Sequence, residues 1–212
     1  MSKETLKVMR LIVPGILIFL VLTPVVQGGL GFDKLIGIDT KSAFHIIVVL
    51  ILGAIYKTLE ARKILFKEDL AALHEHIKDR LLKPFEGDTK ISALKDRPAK
   101  EFLKVFYNII DNDNSLTQKT KDIYENGLLW SSYCDLGVIC LLGIPVYLVA
   151  YLITSNSAFL TFIALLGVLF FVALPFCRLS KKKHQRLGDD QLEVITTIHK
   201  ERLQKLLTDL SN

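Results

Sequence analysis

The chain has 212 residues, 50% of them hydrophobic, and a formal net charge of +5 at pH 7. Its mean hydropathy of +0.37 argues against an ordinary soluble domain, because a soluble chain of this length must keep a polar exterior. The hydrophobic residues are also clustered in long runs rather than scattered at the spacing of a soluble core. The composition therefore predicts an all-α, polytopic membrane protein.

Four hydrophobic runs predict transmembrane helices, at residues 11–27, 43–57, 128–153 and 158–177. We interpret the first as a retained helix rather than a signal peptide, because a poor small-residue cleavage site follows it. The second run is short. At 1.5 Å per residue its uncharged part covers roughly 20–25 Å of a hydrocarbon core about 30 Å thick, so its flanks must help it to cross.

Lysine and arginine residues in the flanks predict the orientation. Basic residues precede the first run and follow the second and the fourth, whereas the connection TSNS between the last two runs has no charge. The positive-inside rule then places residues 1–10, 58–127 and 178–212 in the cytoplasm, and residues 28–42 and 154–157 outside. We therefore expect a multi-pass inner-membrane protein with both termini in the cytoplasm.

The cytoplasmic insert, residues 58–127, has the periodicity of helices. One apolar stripe predicts a helix that continues the second run without a break and ends at Pro84; it consists of Phe66, Leu70, Leu73, Ile77 and Leu81. After a loop to about Asp96, Pro98 opens a second helix whose apolar face carries Phe102, Phe106, Ile109 and Ile110. A third helix is expected to start near Ser115 and to break or kink at Asn126–Gly127.

The C-terminal tail predicts a helix that starts at Gly188-Asp189-Asp190 and carries Leu192, Ile195, Leu203, Leu206 and Leu210 on one face. A lone helix gains little from an apolar face, so these stripes must be buried somewhere. Two alternatives remain open. Either insert and tail pack together as a small helical domain, or part of the stripes contacts other copies or a soluble cytoplasmic protein. The candidates for such a partner or oligomer surface are Phe66, Leu70, Leu73, Ile77, Leu203, Leu206 and Leu210.

The stretch NIIDNDNSLTQKTKD, residues 108–122, has nearly the spacing of a calcium-binding EF-hand loop. Asp111, Asp113 and Ser115 match its first three ligand positions. However, Leu116 stands where the loop requires glycine, and Asp122 is shorter than the glutamate that usually ends it. A helix end followed by a capping box of Ser115 and Gln118 explains the stretch better. We expect an architectural turn rather than a calcium site.

Other chemistry-bearing patterns are weak. In His74-Glu75-His76 the two imidazoles point about 200° apart on a helix, so they cannot share one metal ion. We find no motif that joins a nucleophile to a base, and no phosphate-binding glycine pattern. The insert is nearly neutral, unlike a nucleic-acid-binding surface. The sequence therefore predicts no enzyme activity, no cofactor or metal, and no direct binding of nucleic acid.

Two ionisable residues fall within the predicted spans, His45 and Asp135. Charges inside a membrane are costly and suggest a function, although both residues lie near span ends, where an interface is within reach. Cys134 and Cys177 lie near one predicted level, which allows a contact, and we expect reduced cysteines. The basic run after the fourth span would attract anionic lipid or serve only as a topological stop signal; it contains Arg178, Lys181, Lys182, Lys183 and Arg186.

Prolines at 14, 24 and 145 kink the predicted spans, and neighbouring helices must satisfy the carbonyls that they free. Glycines at 137, 143 and 167 offer close approach between helices. These residues favour a packed bundle or a homo-oligomer over a simple anchor.

Two span pairs with short connections bracket the helical insert: LIVPGILIFL with AFHIIVVLILGAIY, and GVICLLGIPVYLVAYLI with FLTFIALLGVLFFVALPF. This layout resembles the small four-span membrane subunits of bacterial antiviral defence systems, such as that of the Kiwa system. The resemblance implies a homo-oligomer in the inner membrane that recruits a soluble cytoplasmic effector and responds to phage at the envelope. It carries over no functional residue.

The function that these patterns favour is a non-enzymatic membrane subunit that binds and positions a soluble cytoplasmic partner. The alternative is a pore- or channel-forming effector. A pore would require an oligomer, because four helices with so few polar faces cannot line an aqueous path alone.

Overall fold

The computed structural model describes residues 3–30 and 43–211. Throughout these ranges the regular structure is helical, with no strand. The α-helices are α1 (Lys3–Leu30), α2 (Ala43–Thr58), α3 (Lys63–Leu82), α4 (Thr89–Ser92), α5 (Ala99–Asp111), α6 (Asn114–Thr154), α7 (Ala158–Thr197) and α8 (Lys200–Ser211). The predicted outer loop, residues 28–42, lies almost entirely outside the described residues.

Three helical segments within the described ranges are long and apolar enough to cross a membrane: Glu4–Gly28, Thr120–Thr154 and Ala158–Thr197. A fourth crossing is counted only if α2 and α3 together form one broken span, because α2 has just 16 residues. The prediction of an all-helical chain is confirmed for the described residues, and three to four of its helices are long and apolar enough to span a membrane.

The chain divides into two compact units. The first unit consists of Met1–Phe66 and Gly127–Lys181, and the second consists of Lys67–Asn126 and Lys182–Asn212. The first therefore contains the predicted spans, whereas the second joins most of the predicted insert to most of the tail.

In the first unit, α1 and α2 cross at two glycines. A Cβ atom on Gly15 would lie 2.0 Å from the carbonyl oxygen of Val49, and one on Gly53 would lie 2.1 Å from that of Leu11. Any side chain would force the helices apart, so the two backbones approach closely only because both positions are glycine.

The rest of the first unit packs around Tyr147 of α6, whose side chain is fully buried. Its ring stacks on Phe162 of α7 at 5.1 Å between centroids. Its hydroxyl donates a 2.7 Å hydrogen bond to the carbonyl oxygen of Val21, which lies in the turn of α1 just before Pro24. A side chain of a neighbouring helix thus bonds a carbonyl one residue beyond that of Leu20, the carbonyl that Pro24 frees. Gly143 also packs closely, because a Cβ there would lie 2.9 Å from Leu166.

The second unit has a hydrophobic core of its own. The face predicted for α5 is buried in full, and it packs with side chains from α3, the start of α6, the end of α7 and α8. Insert and tail therefore share one interior, which is the first of the two alternatives that the sequence left open. The buried set includes Ile77, Leu81, Phe102, Val105, Phe106, Ile109, Ile110, Leu116, Leu192, Ile195, Leu203 and Leu207.

The prediction that α2 continues into α3 is wrong. α2 ends at Thr58 and α3 begins at Lys63, and Glu60 between them has a positive φ of 48°. In an unbroken helix, Tyr56 and Arg62 would point about 120° apart. The turn instead brings both side chains onto Asp135.

The predicted end of α3 is confirmed. The helix stops at Leu82, and Pro84 lies in the 3₁₀ turn Lys83–Phe85 that follows. The segment predicted as a loop contains α4, which Asp88 caps by accepting from the backbone amides of Lys90 and Ile91, and a second 3₁₀ turn, Ala93–Asp96. α5 begins directly after Pro98, as predicted.

Two predicted helix boundaries are wrong. α6 runs through Asn126–Gly127 without a break, and α7 runs through Gly188. A glycine inside a helix costs only about 1 kcal/mol relative to alanine, and packing overrides that cost. Next to Gly188, the carboxylate of Asp189 also lies 2.7 Å from Nε2 of His76 and 3.7 Å from Nε of Arg80, and these contacts hold this part of α7 in the second unit.

Candidate functional site: a buried ion pair in the first unit

Asp135 is the centre of a buried polar cluster. Its side chain is 1% exposed, and three donors reach it. Arg62 donates from Nε to Oδ1 and from Nη2 to Oδ2, both at 2.8 Å. The hydroxyl of Tyr56 donates to Oδ1 at 2.9 Å. These bonds occupy most of the acceptor capacity of the carboxylate.

The cluster explains how a carboxylate is tolerated within a spanning helix. The two parallel bonds from Arg62 form the bidentate geometry that pairs a guanidinium with a carboxylate most strongly. Arg62 lies in the turn between α2 and α3, outside the helices themselves. Burial opposes its charged form, and the two hydrogen bonds from Arg62 to the charge of Asp135 offset that cost. The site is therefore suited to holding the turn against α6.

Two thiols lie directly beside this ion pair. The sulfur atoms of Cys134 and Cys177 are 2.9 Å apart, and both residues are buried free cysteines. One residue earlier in each helix, the rings of Tyr133 and Phe176 stack at 5.4 Å between centroids. The contact that the sequence allowed between these cysteines is thus present, and it places α7 beside α6 at the level of Asp135.

His45, the other ionisable residue of the predicted spans, lies apart from this cluster. It is buried in the first unit, and its ring makes edge contacts with Phe19 at 5.5 Å and Phe44 at 5.9 Å between centroids. The structure therefore gives His45 an aromatic environment and does not bring it to Asp135.

The residues predicted to form a partner or oligomer surface lie mostly in the interior. Ile77 and Leu203 belong to the core of the second unit, and Leu73, Leu206 and Leu210 pack against that core. In the remaining two positions, Leu70 of the second unit is half-buried and Phe66 of the first unit is buried. A partner that binds the folded second unit must therefore contact residues outside this predicted set.

The basic run lies entirely within α7. Arg178, Lys182, Lys183 and Arg186 are exposed, and Lys181 is half-buried. These side chains retain the accessibility that contact with lipid headgroups would require.

The EF-hand-like stretch is used as a helix boundary. Oδ1 of Asp113 accepts from the backbone amide of Leu116 at 3.2 Å, and Oδ2 lies 2.5 Å from Nε2 of His199. Asp113 therefore caps the start of α6; the predicted capping box of Ser115 and Gln118 depends on side chains outside the described residues. Among described residues, no group of three or more His, Cys, Asp or Glu side chains is arranged to hold a metal ion.

Sequence reasoning found Asp135 but missed its partners Arg62 and Tyr56. The available signal was a single aspartate in a spanning helix, which requires a cation, together with an arginine just beyond the short second span. Comparison of the chain with protein-family models, with curated proteins and with solved structures found no match.

Proposed function

We propose that the protein is a non-enzymatic, oligomeric inner-membrane subunit whose second unit lies in the cytoplasm and binds a soluble partner. The observation that carries this proposal is the separate hydrophobic core of the second unit, built from two segments distant in sequence. A simple membrane anchor needs no such unit. A folded helical unit attached to spanning helices is suited to presenting a fixed surface to a protein.

Within the described part of the second unit, two large apolar side chains are exposed, Tyr107 and Ile198. Each is a sequence neighbour of a residue that joins the α5 region to the C-terminal segment. Next to Tyr107, Asn108 of α5 accepts at Oδ1 from Arg202 of α8 at 3.1 Å. Next to Ile198, His199 pairs with Asp113, which lies just beyond the end of α5. Exposed aromatic and aliphatic residues on a rigid support are common anchors in protein interfaces. They are our candidates for contact with the partner.

The oligomer and the setting are also proposals. α2 exposes Phe44, Ile47, Ile51 and Ile55 at helical spacing, a face that lipid or another copy would cover. The resemblance in layout supports assignment to a bacterial antiphage defence complex, as its membrane sensor or scaffold. If Asp135 lined a pore, its carboxylate would face water, whereas it is held by Arg62; this contact gives the pore alternative less support.

The test is co-expression of the full chain with the product of the adjacent gene, followed by purification in detergent and light scattering. We expect a defined oligomer that carries a stoichiometric soluble partner. Tyr107→Ser and Ile198→Ser should release the partner and keep the oligomer, whereas Lys104→Ser, on the same exposed side of α5, should keep both. A monomer without partner would refute the proposal. Dye leakage on expression of the full chain would favour a pore.

A further inference from the structure

The turn between α2 and α3, together with the first residues of α3, exposes large apolar side chains next to lysines. Leu59 is 72% exposed and Ile64 is 61% exposed, and both belong to the first unit. Lys57 and Lys63 are exposed beside them. Lysine stems lie along apolar surface while their ammonium groups reach water or phosphate, so this combination is typical of a membrane–water interface.

Contacts within the first unit show which other surfaces share this level. Arg62 of the turn reaches Asp135 of α6, and the neighbouring Cys134 reaches Cys177 of α7. Three separate elements therefore meet here. Leu179, which follows Cys177 closely on α7, is exposed as well. A second element of the first unit thus also exposes an apolar side chain, two residues beyond the Cys134–Cys177 contact.

The short length of α2 explains why apolar side chains are exposed beyond its end. Its 16 residues span about 24 Å at 1.5 Å per residue, which is less than a hydrocarbon core of about 30 Å. A helix that is too short must use its flanks or thin the bilayer. Leu59 and Ile64 extend the apolar surface at the end where α2 stops.

We propose that the segment Leu59–Leu65, which comprises the α2–α3 turn and the start of α3, is embedded in the lipid interface, with Leu59 and Ile64 among the acyl chains and Lys57 beside lipid phosphates. Lys63 pairs with Glu60, which leaves Lys57 as the main cationic contact. The Arg62–Asp135 pair fixes the turn to α6, so the turn enters the interface as a rigid element. Lipid, rather than a soluble partner, is the occupant because the exposed surface continues a helix that is too short to span.

The test is depth-dependent quenching of tryptophan fluorescence. The chain has one tryptophan, Trp130, so Trp130→Phe gives a background into which Leu59→Trp is introduced. The full-length protein is reconstituted in vesicles of phosphatidylethanolamine and phosphatidylglycerol that are brominated near the headgroup or near the chain end. We expect a loss of emission that is largest with shallow bromines. The matched control is Ile198→Trp, at a position that is 73% exposed in the second unit, and it should lose no emission.

An equal loss of emission on bromination in the two variants would overturn the proposal. The proposal would also be overturned if emission from the Leu59→Trp variant did not change with bromination but changed with the protein-to-lipid ratio, since a second copy would then cover the turn. If Trp130→Phe does not fold, Leu59→Cys and Ile198→Cys can be compared by reaction with a water-soluble maleimide, because the three native cysteines are buried. We expect slower labelling at position 59, and equal rates would refute the inference.

Discussion

Arg62 and Asp135 lie 73 positions apart in the sequence and meet through two parallel hydrogen bonds of 2.8 Å. One partner lies in a turn and the other in a spanning helix, so neither residue by itself predicts the pair. An unpaired carboxylate inside a spanning helix would be costly. The ion pair is therefore what allows Asp135 to occupy this position, and it ties the α2–α3 turn to α6.

Removal of one partner should be strongly destabilising. We expect Asp135→Asn to lower the free energy of unfolding by about 3 kcal/mol, the lower end for a broken buried pair, because 27% of the Arg62 side chain remains exposed. The measurement is unfolding of the detergent-solubilised protein by titration with sodium dodecyl sulfate, followed by circular dichroism.

The control for this prediction is the pair of variants Arg62→Gln and Arg62→Gln/Asp135→Asn. The double variant leaves no uncompensated charge, so its loss of stability should be clearly smaller than the sum of the two single losses. Strictly additive losses would show that the two side chains do not stabilise each other.

The crossing of α1 and α2 should tolerate no side chain at its glycines. Gly15→Ala and Gly53→Ala each place a Cβ about 2 Å from a backbone carbonyl oxygen, and the helices can relieve that overlap only by separating. We expect each variant to lose about 3 kcal/mol or more, at or beyond the upper end for overpacking, in the same titration.

Gly167→Ala is the matched control in the same unit, because a Cβ at that position would have no atom within 4 Å. Alanine is the better helix former, so we expect no loss and a gain of up to about 1 kcal/mol. A Gly15→Ala variant as stable as Gly167→Ala would contradict the close crossing.

Local patterns in the sequence predicted the faces of helices well. The burial of Phe102 and Ile109 on α5 follows from apolar spacing, and the end of α3 follows from Pro84. Both depend on the chemistry of a few adjacent residues. The membrane class was predictable for the same reason, since long apolar runs have few other uses.

Features that depend on distant contacts were missed. The turn at Glu60 contains neither glycine nor proline, and only the shared target of Tyr56 and Arg62 explains it. The close crossing uses one glycine from each of two helices, so a search for paired glycines within one helix could not detect it. The local propensity of Gly188 opposes a continuous helix, whereas the contacts of Asp189 with His76 and Arg80 override that propensity.

The two thiols beside Asp135 should be readily joined. Copper–phenanthroline should remove one hydrogen from each and form a disulfide between Cys134 and Cys177, whose sulfur atoms are already 2.9 Å apart. After denaturation, a maleimide reagent should then label a single cysteine, Cys140, in each chain. Cys177→Ser is the control and should retain two labelled cysteines. Dimers linked by a disulfide in the unsubstituted protein would contradict the intramolecular contact.

Asp113 should stabilise the fold in two ways, as a helix cap and by its negative charge, and two substitutions separate these roles. Asp113→Ala removes the bond to the amide of Leu116 and should cost about 1–2 kcal/mol for the cap alone. Asp113→Asn keeps an equally good cap and loses only the charge beside His199, so it should cost less. Thermal unfolding of the full chain measures both. Stabilisation of the unsubstituted protein by calcium would contradict the architectural role.

His74 should make the second unit less stable in mild acid. Burial, and then the ammonium of Lys100, lower the pKa of His74 below its ordinary 6.5, while Glu75 opposes them. The unfolded chain therefore binds a proton at a higher pH than the folded chain does. Because the free energy of unfolding rises with pH wherever the unfolded state holds more protons, the contribution of His74 is fully present above about pH 6.5 and is lost as the pH falls.

His74→Gln isolates this contribution from that of the other histidines. Thermal unfolding at about pH 7.5 and at about pH 5.5, on either side of the ordinary histidine pKa, should show a smaller acid-induced loss in the variant than in the unsubstituted protein. Lys100→Gln should reduce the loss only in part, since burial remains. An acid-induced loss unchanged by His74→Gln would show that the imidazole is as easily protonated in the folded chain as in the unfolded one.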